Sequence, residues 1–343
     1  VTEPLFGVGR WGLLAGDCVK VMQALRPASV DAVVTDPPYA LSFMGKDWDS
    51  FGDGVGYQTW CERWAAQCVR LLKPGGQLFS FGGTRTVHRL TCAIEDMGFT
   101  VRDSLDWIHS QGFPKSRGTL KPAHEPIVWA SKPGGGAGLN VDACRVGTET
   151  RVNPPARNVP GSGWGMRPKI PPSTVSGRWP PNVLFSHSPD CGPVCAPDCP
   201  VAELDRQSGQ SVSRAQPVSV RRGGKATNLA MTRSGATYSD SGGASRFFPV
   251  FRYHPKAGKA ERPAADDSQL HPTVKPVGVM RWLVRLATPP GGIVLDPFAG
   301  SGATAEACIL EGFPCVLIEK EPAYLRQIGK RLSRYSSKES EAA

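Results

Sequence analysis

Asp36-Pro37-Pro38-Tyr39 follows directly on the apolar run Val30-Asp31-Ala32-Val33-Val34-Thr35. That combination suits chemistry on a poor amine nucleophile. The exocyclic amino nitrogen of adenine or cytosine has its lone pair delocalised into the ring. A carboxylate accepting one N–H and a backbone carbonyl accepting the other favour a tetrahedral nitrogen with its lone pair free. Asp36 can supply the carboxylate and Pro37 the carbonyl. Tyr39 can stack on a base drawn out of the duplex. Pro37 and Pro38 fix φ and lack an N–H, so the turn is rigid. Such a site works by positioning and transition-state electrostatics, without a covalent intermediate. A plain strand-ending turn would use the same residue types. A second motif is needed to separate the two readings.

That motif is Asp296-Pro297-Phe298-Ala299-Gly300-Ser301-Gly302, after the apolar run Gly292–Asp296 and before a helical stretch from Ala303 to Leu310. Glycines let the backbone approach a ligand at the C-terminal end of a parallel strand. The next strand, Cys315–Ile318, ends at Glu319, 23 residues after Asp296. An acid at that place in a βαβ unit is the usual partner of ribose hydroxyls. A lone Gly-x-Gly is weak, and a dinucleotide site is the competing reading. However, the Phe-x-Gly-x-Gly spacing is not the dinucleotide fingerprint, and no phosphate-loop Lys-Ser/Thr follows.

A third group is His187-x3-Cys191-x3-Cys195-x3-Cys199. Spacing of four would put these side chains on one helical face, but Pro189, Gly192, Pro193, Pro197 and Pro200 rule out a regular helix there. Three thiols and an imidazole in a turn-rich loop are the ligand types of a closed structural Zn²⁺ site, and ordinary reduced thiols are the alternative. Cys144 is a lesser alternative ligand. Any such metal would staple its module and take no part in catalysis.

Elements must hold these groups in place. Helices are expected near Val19–Leu25, Tyr57–Leu72, Thr86–Met97, Val279–Ala287 and Tyr324–Tyr335. Strands are expected at Gln77–Phe81, Leu105–His109 and Pro126–Ala130, besides the two motif strands. Gly134-Gly135-Gly136 reads as a boundary, and residues from Ser336 as a frayed polar tail. The expected division is an acceptor half over 1–136, an inserted basic region over 137–267, a cofactor half over 268–335 and a tail over 336–343. No internal repeat is evident.

The chain's 343 residues carry a formal net charge of +10. Between Arg151 and Lys259 stand fifteen Lys and Arg against five Asp and Glu, so this stretch holds the whole excess. It is rich in Gly, Pro and Ser, and is interleaved with Trp164, Trp179, Phe185, Tyr238, Phe247, Phe248, Phe251 and Tyr253. A solvated linker would share this composition. We read a DNA target-recognition region, with Arg221, Arg222 and Lys225 as backbone contacts. No run is long enough to span a membrane. The first fifteen residues lack the features of a signal peptide, so a cytoplasmic protein with mostly reduced cysteines is expected. Cys18, Cys61, Cys68, Cys92, Cys308 and Cys315 read as core filling.

The two motifs and their order resemble the permuted β class of S-adenosylmethionine-dependent DNA amino-methyltransferases, especially phage and prophage versions. The resemblance runs from about Trp11 to Arg334 and is weakest in the middle. It implies an α/β, Rossmann-like fold with a central, mostly parallel sheet and an inserted loop-rich target-recognition region. It implies S-adenosylmethionine as cofactor, bound by Asp17 (adenine), Thr273 and Lys275 (methionine end), Asp296, Phe298, Gly300, Gly302 and Glu319 (ribose). Lys73-Pro74-Gly75-Gly76 matches the family turn after the acceptor helix. Gly302-Ala303-Thr304 departs from the common Gly-Thr-Thr, which costs one hydroxyl. Moving the chain ends to another surface loop leaves such a core intact. The implied partner is double-stranded DNA, with no membrane, and related enzymes sometimes form homodimers. The implied reaction is methylation of adenine N6, because aspartate heads the acceptor motif. Cytosine N4 is the alternative, since serine is commoner there but not universal. A DNA-binding protein with a decayed core is the alternative of another class, and methylation of protein glutamine or of RNA a third. No endonuclease motif is apparent.

Overall fold

A nine-stranded sheet organises the chain. The computed structural model describes residues 11–41, 49, 51–110, 112, 117–135, 138–153, 173–213, 240–252 and 274–339. From one edge the strands are β1 (Trp11–Ala15), β13 (Cys315–Glu319), β12 (Val294–Asp296), β2 (Val30–Thr35), β3 (Leu72–Phe81), β5 (His124–Ser131), β4 (Thr100–Ile108), β8 (Val183–Ser186) and β11 (Val250–Phe251). The first five are mutually parallel. Strand β5 runs antiparallel to both β3 and β4. Strand β8 is parallel to β4, and β11 to β8. Two small ribbons lie outside the sheet: β6 (Val146–Asn153) with β7 (Ser173–Arg178), and β9 (Ser211–Val212) with β10 (Ser241–Gly242).

Helices cover both faces, which is why β2 is a continuous apolar run and not an alternating one. Val33 joins Leu14, Leu78, Tyr57 and Trp64 in one core cluster. Ala32 and Val34 join Leu283, Ala305 and Ile328 in the other. The first face carries α1 (Cys18–Ala24), α2 (Gly54–Leu71) and α3 (Val87–Asp96); the second carries α5 (Val277–Ala287), α6 (Ala303–Glu311) and α7 (Pro322–Glu339). Helix α2 shows the pattern well. Tyr57, Cys61, Trp64, Ala65, Cys68 and Leu71 are buried at spacings of three and four, and Asp53 caps its start by accepting from Gly56 N at 2.8 Å.

The segment 137–267 joins the core through its described parts. It lends β8 and β11 to the main sheet, and the turn Val141–Cys144 packs on α5, with Cys144 buried. Gly134 and Gly135, at the expected boundary, lie against Pro74. A Cβ on Gly135 would come within 2.3 Å of the Pro74 carbonyl oxygen, so the glycine permits backbone-to-backbone packing on the Lys73–Gly76 turn. The expected tail is helical through Glu339, as part of α7. Cys92 is exposed, whereas Cys18, Cys61, Cys68, Cys308 and Cys315 are buried free thiols. Among the described residues, no helix is long and apolar enough to cross a membrane.

Candidate active site

Strands β2 and β12 are neighbours, and their crossovers leave in opposite directions. Strand β2 continues through α2 to β3, and β12 continues through α6 to β13. Open α/β sheets bind ligands in the crevice at such a switch point. The last residues of the two strands are joined directly: Thr35 Oγ1 donates to Asp296 Oδ1 at 2.7 Å. Asp296 also accepts from Phe298 N at 3.1 Å and from the Thr304 hydroxyl. Its carboxyl is buried, and burial pushes it up to about 6. Asp296 therefore sits beneath the turn and shapes it.

A cavity of about 320 Å³ opens above these strand ends. On one side stand Asp36, Pro37, Pro38, Tyr39, Glu125 and Lys275; on the other stand Gly16, Asp17, Phe298, Gly300 and Glu319. Both sequence motifs thus reach one space. The acceptor side is a compact polar network. Lys275 Nζ donates to Asp36 Oδ2 at 2.6 Å and lies 3.2 Å from Glu125 Oε2. The Tyr39 hydroxyl lies 2.6 Å from Asp36 Oδ1 and 3.0 Å from Glu125 Oε2. Burial and the two carboxylates hold the Tyr39 phenol well above its usual range, so it keeps its proton. Burial pulls the Lys275 ammonium down, but Asp36 and Glu125 outweigh it and leave the group above its ordinary value. The turn itself is pinned by neighbours. Tyr57 Oη donates to the Pro38 carbonyl at 3.0 Å, and Thr86 Oγ1 to the Tyr39 carbonyl at 2.7 Å. Asp49 accepts from Ala40 N at 2.7 Å and Leu41 N at 3.0 Å.

On the cofactor-motif side, Glu319 accepts from Gly300 N at 2.7 Å and from Lys320 N and Glu321 N at 2.8 Å each. Burial pushes its carboxyl up to about 7, against those three donors. Gly300 and Gly302 have φ of +50° and +80°, a region costly for other residues. A Cβ on Gly302 would also press on Ile328 of α7 at 3.3 Å. Gly302 caps α6 and, like Asp296, is not among the residues lining the cavity. Arg331 of α7 donates to the Ser301 carbonyl at 3.1 Å and holds the same turn. Asp17 caps α1, accepting from Lys20 N at 3.1 Å, and faces the cavity. Phe298 packs against Trp60 and Trp64, with ring centroids 5.4 and 5.6 Å away, so one wall of the cavity is aromatic.

The structure also shows what the residue pattern left out. Lys275, expected at the methionine end, is bonded to Asp36. Glu125, Trp60 and Phe51 line the cavity without having been singled out. The signal for Glu125 was an acid immediately before the apolar run Pro126–Ala130, at the start of β5. Tyr39 has its hydroxyl turned into the polar network, with Lys275 Nζ 5.4 Å from its ring centroid. Thr273, Arg221, Arg222 and Lys225 lie outside the described residues, as do Trp164, Tyr238 and Tyr253.

Within the basic segment, Phe185 is buried, and Phe248 and Phe251 pack against core clusters, so these aromatics are not a base-stacking surface. Trp179 is exposed, and Phe247 is at the margin of exposure, with Arg178 and Arg246 guanidinium carbons 4.9 and 4.1 Å from its ring centroid. Both arginines pair with Asp240. Away from the cavity, one ligand atom each of His187, Cys191, Cys195 and Cys199 all lie within 4.8 Å of one another.

The DNA methylase family pattern covers residues 30–330, and the chain belongs to that family. It is similar to the Type II methyltransferase M.HinfI of Haemophilus influenzae, 29% identical over 135 residues, which is 35% of this chain and 38% of that protein. It is also similar to the Type II methyltransferase M.HpaI of Haemophilus parainfluenzae, 30% identical over 138 residues, which is 39% of this chain and 43% of that protein. The chain thus spans less than half the length of these curated relatives. Its fold is shared with the PvuII DNA methyltransferase (cytosine-N4-specific), at a TM-score of 0.56 and 16% identity, over 96% of this chain and 89% of that one.

Proposed function

We propose that the protein transfers a methyl group from S-adenosylmethionine to an exocyclic base amine in double-stranded DNA, with adenine N6 as the preferred acceptor. The observation that carries this reading is the shared cavity. An Asp-Pro-Pro-Tyr turn and a Phe-x-Gly-x-Gly turn leave adjacent strands and line one space. That space, about 320 Å³, is in the usual range for small-molecule sites. Its donor set fits the cofactor: an acid at the second strand end for ribose hydroxyls, an aromatic wall for adenine, and Asp17 at its edge. When bound, the cofactor supplies an electrophilic methyl on a sulfonium.

The protein's part is orientation and charge. Lys275 and Tyr39 hold the two Asp36 oxygens in fixed directions, leaving lone pairs to accept an amine N–H. The amine gains positive charge as its nitrogen is alkylated, and Asp36 is the adjacent negative group. Glu125 extends that negative field and anchors Lys275 and Tyr39 from the far side. Tyr57 and Thr86 keep the turn from yielding as the base enters. The adenine preference rests on aspartate at the head of the acceptor motif, and cytosine N4 would use the same contacts. DNA is engaged by the basic segment, and Trp179 and Phe247 are its surface aromatics among the described residues.

The test is nucleoside mass spectrometry of unmethylated DNA incubated with the protein and S-adenosylmethionine. N6-methyladenine is the expected product, falling at least about 100-fold in Asp36→Asn with cofactor binding retained. N4-methylcytosine would overturn the base preference, and absence of cofactor binding would overturn the reading itself.

A further inference from the structure

We infer that His187, Cys191, Cys195 and Cys199 form a closed Cys₃His zinc site that clamps α4 (Pro200–Ser208) to the edge of the main sheet. None of the four lines the active-site cavity, so the inference stands apart from the methyl-transfer reading.

The geometry carries it. A tetrahedral zinc with bonds of about 2.3 Å to sulfur and 2.0–2.1 Å to nitrogen sets its ligand atoms about 3.5–3.8 Å apart. His187 Nδ1 lies 3.5 Å from Cys195 Sγ and 3.4 Å from Cys199 Sγ, and all four ligand atoms fall within 4.8 Å of one another. A disulfide would consume two thiols and leave the third thiol and the imidazole crowded beside it without purpose. One metal ion accounts for all four.

The loop is built in the manner of a metal knuckle. Successive tight turns bring the thiols round: Cys191 N donates to Ser188 O at 3.1 Å, Gly192 N to Val194 O at 3.1 Å, and Cys199 N to Ala196 O at 3.1 Å. Ala196 N donates to Cys191 Sγ at 3.2 Å, an interaction that favours sulfur bearing negative charge. Cys199 is fully buried and occupies the N-cap of α4, where the helix dipole also favours a thiolate. Four ligands leave no open position, which marks a structural and not a catalytic centre.

The surroundings explain what the ion would do. The hydrophobic cluster under this loop has three buried members, Phe185, Cys199 and Val201. So small a core holds a substructure poorly without a staple. His187 N donates to Phe251 O at 2.9 Å, which places the first ligand on the β8–β11 edge. Ser188 Oγ bonds to Asp198 Oδ1 at 3.0 Å and to Ser110 Oγ at 3.2 Å. On the far side of α4, Asp205 accepts from Ser245 N at 2.8 Å and Ser245 Oγ at 2.7 Å, fixing the turn Ala244–Phe247 that carries Arg246 and Phe247. The metal would set α4, and α4 would set the surface that presents Phe247.

The experiment is metal analysis of protein purified under reducing, chelator-free conditions, followed by cobalt(II) substitution. One zinc per chain is expected, with cobalt giving the intense visible bands of a tetrahedral thiolate site. Cys195→Ser/Cys199→Ser should lose both, Cys92→Ser should lose neither, and His187→Cys should keep the metal while its cobalt spectrum moves to that of a four-thiolate site. The wild-type cobalt spectrum decides the matter even if the double variant fails to fold. Reduced wild-type protein that carries no zinc and gives no tetrahedral cobalt spectrum would overturn the inference. So would metal retained in the double variant, or a Cys191–Cys199 disulfide in protein freshly made under reducing conditions.

Discussion

Lys275→Met tests the acceptor network most directly. The ammonium lies between two acids, 2.6 Å from Asp36 Oδ2 and 3.2 Å from Glu125 Oε2, and is only 7% exposed. Methionine keeps the length and removes the charge. The two acids then face each other across the Tyr39 hydroxyl with no cation between them. Both bond the Tyr39 hydroxyl, which confines their oxygens to within about 5.6 Å of each other, where two unit charges at an effective dielectric of 20 repel by about 3 kcal/mol. Breaking a buried pair by removing one partner typically costs about 3–5 kcal/mol. Lys275→Met should therefore lower unfolding stability by about 3–5 kcal/mol, and Lys275→Met/Glu125→Gln should regain about 3 kcal/mol of that, because the repulsion is gone. Urea unfolding of wild type, both single variants and the double variant closes the cycle. Methyl transfer should follow the same order, with the double variant more active than Lys275→Met. Additive losses, with no coupling between positions 125 and 275, would refute the claim that Lys275 works as a bridge between the two acids.

Three further outcomes follow from the cofactor side. Glu319→Gln keeps the shape but not the charge of the acid proposed to hold the ribose, so cofactor affinity by titration calorimetry should fall about 10–100-fold, the worth of one or two charge-assisted hydrogen bonds; unchanged affinity would remove Glu319 from the site. Burial pushes Asp296 up to about 6 and Glu319 up to about 7, above ordinary values of 3.8 and 4.5. A carboxyl raised on folding contributes stability that is complete below its unfolded value and lost as pH rises through its folded value. Wild-type stability should thus decline between about pH 4 and pH 7, by on the order of 3 kcal/mol per group. Asp296→Asn should flatten the lower part of that slope and Glu319→Gln the upper part; variants with the wild-type slope in urea unfolding at pH 5 and pH 8 would contradict this. Gly302→Ala forces a side chain onto a φ of +80° and against Ile328, and should cost about 1–3 kcal/mol in unfolding stability, together with weaker cofactor binding.

Residues near one another in sequence told most of what was legible. The Asp-Pro-Pro-Tyr turn, the Phe-x-Gly-x-Gly turn and the acid 23 residues beyond Asp296 belong to single strand–turn–helix or βαβ units, whose internal distances local rules set. The two helical faces were readable because α2 and α5 are long enough to show their period. What escaped was tertiary. Lys275 meets Asp36 across 239 residues, and no local pattern separates a lysine that touches a cofactor from one that bridges two acids. Glu125 reaches the cavity because β5 pairs antiparallel with β3, a register that only the folded sheet supplies. Phe185 and Phe251 stood in the sequence only as aromatics interleaved with charge, because strands of four and two residues are too short to display an alternation. The cysteine spacing offered a ligand set or ordinary thiols alike, and the convergence of the four side chains depends on turns that composition does not specify.

The acceptor motif precedes the cofactor motif by some 260 residues, yet Thr35 and Asp296 share one hydrogen bond of 2.7 Å. Adjacency of β2 and β12 in the sheet replaces adjacency in the chain, which is why the order of the motifs leaves the site intact. The same bond makes the two halves mechanically dependent, and Thr35→Val isolates that dependence. Valine fills the volume but donates nothing, so the buried Asp296 carboxylate loses a partner at a cost of about 1–3 kcal/mol. Its Oδ1 also holds Phe298 N, so the displacement passes to the Phe-x-Gly-x-Gly turn and not to Asp-Pro-Pro-Tyr, which Tyr57, Thr86 and Asp49 pin independently. Thr35→Val should therefore raise KM for S-adenosylmethionine with KM for DNA held, whereas Tyr57→Phe, which frees the Pro38 carbonyl, should lower kcat with cofactor affinity held. If Thr35→Val acted equally on both substrates, the hydrogen bond would be packing shared by the whole sheet and not a strut of the cofactor turn.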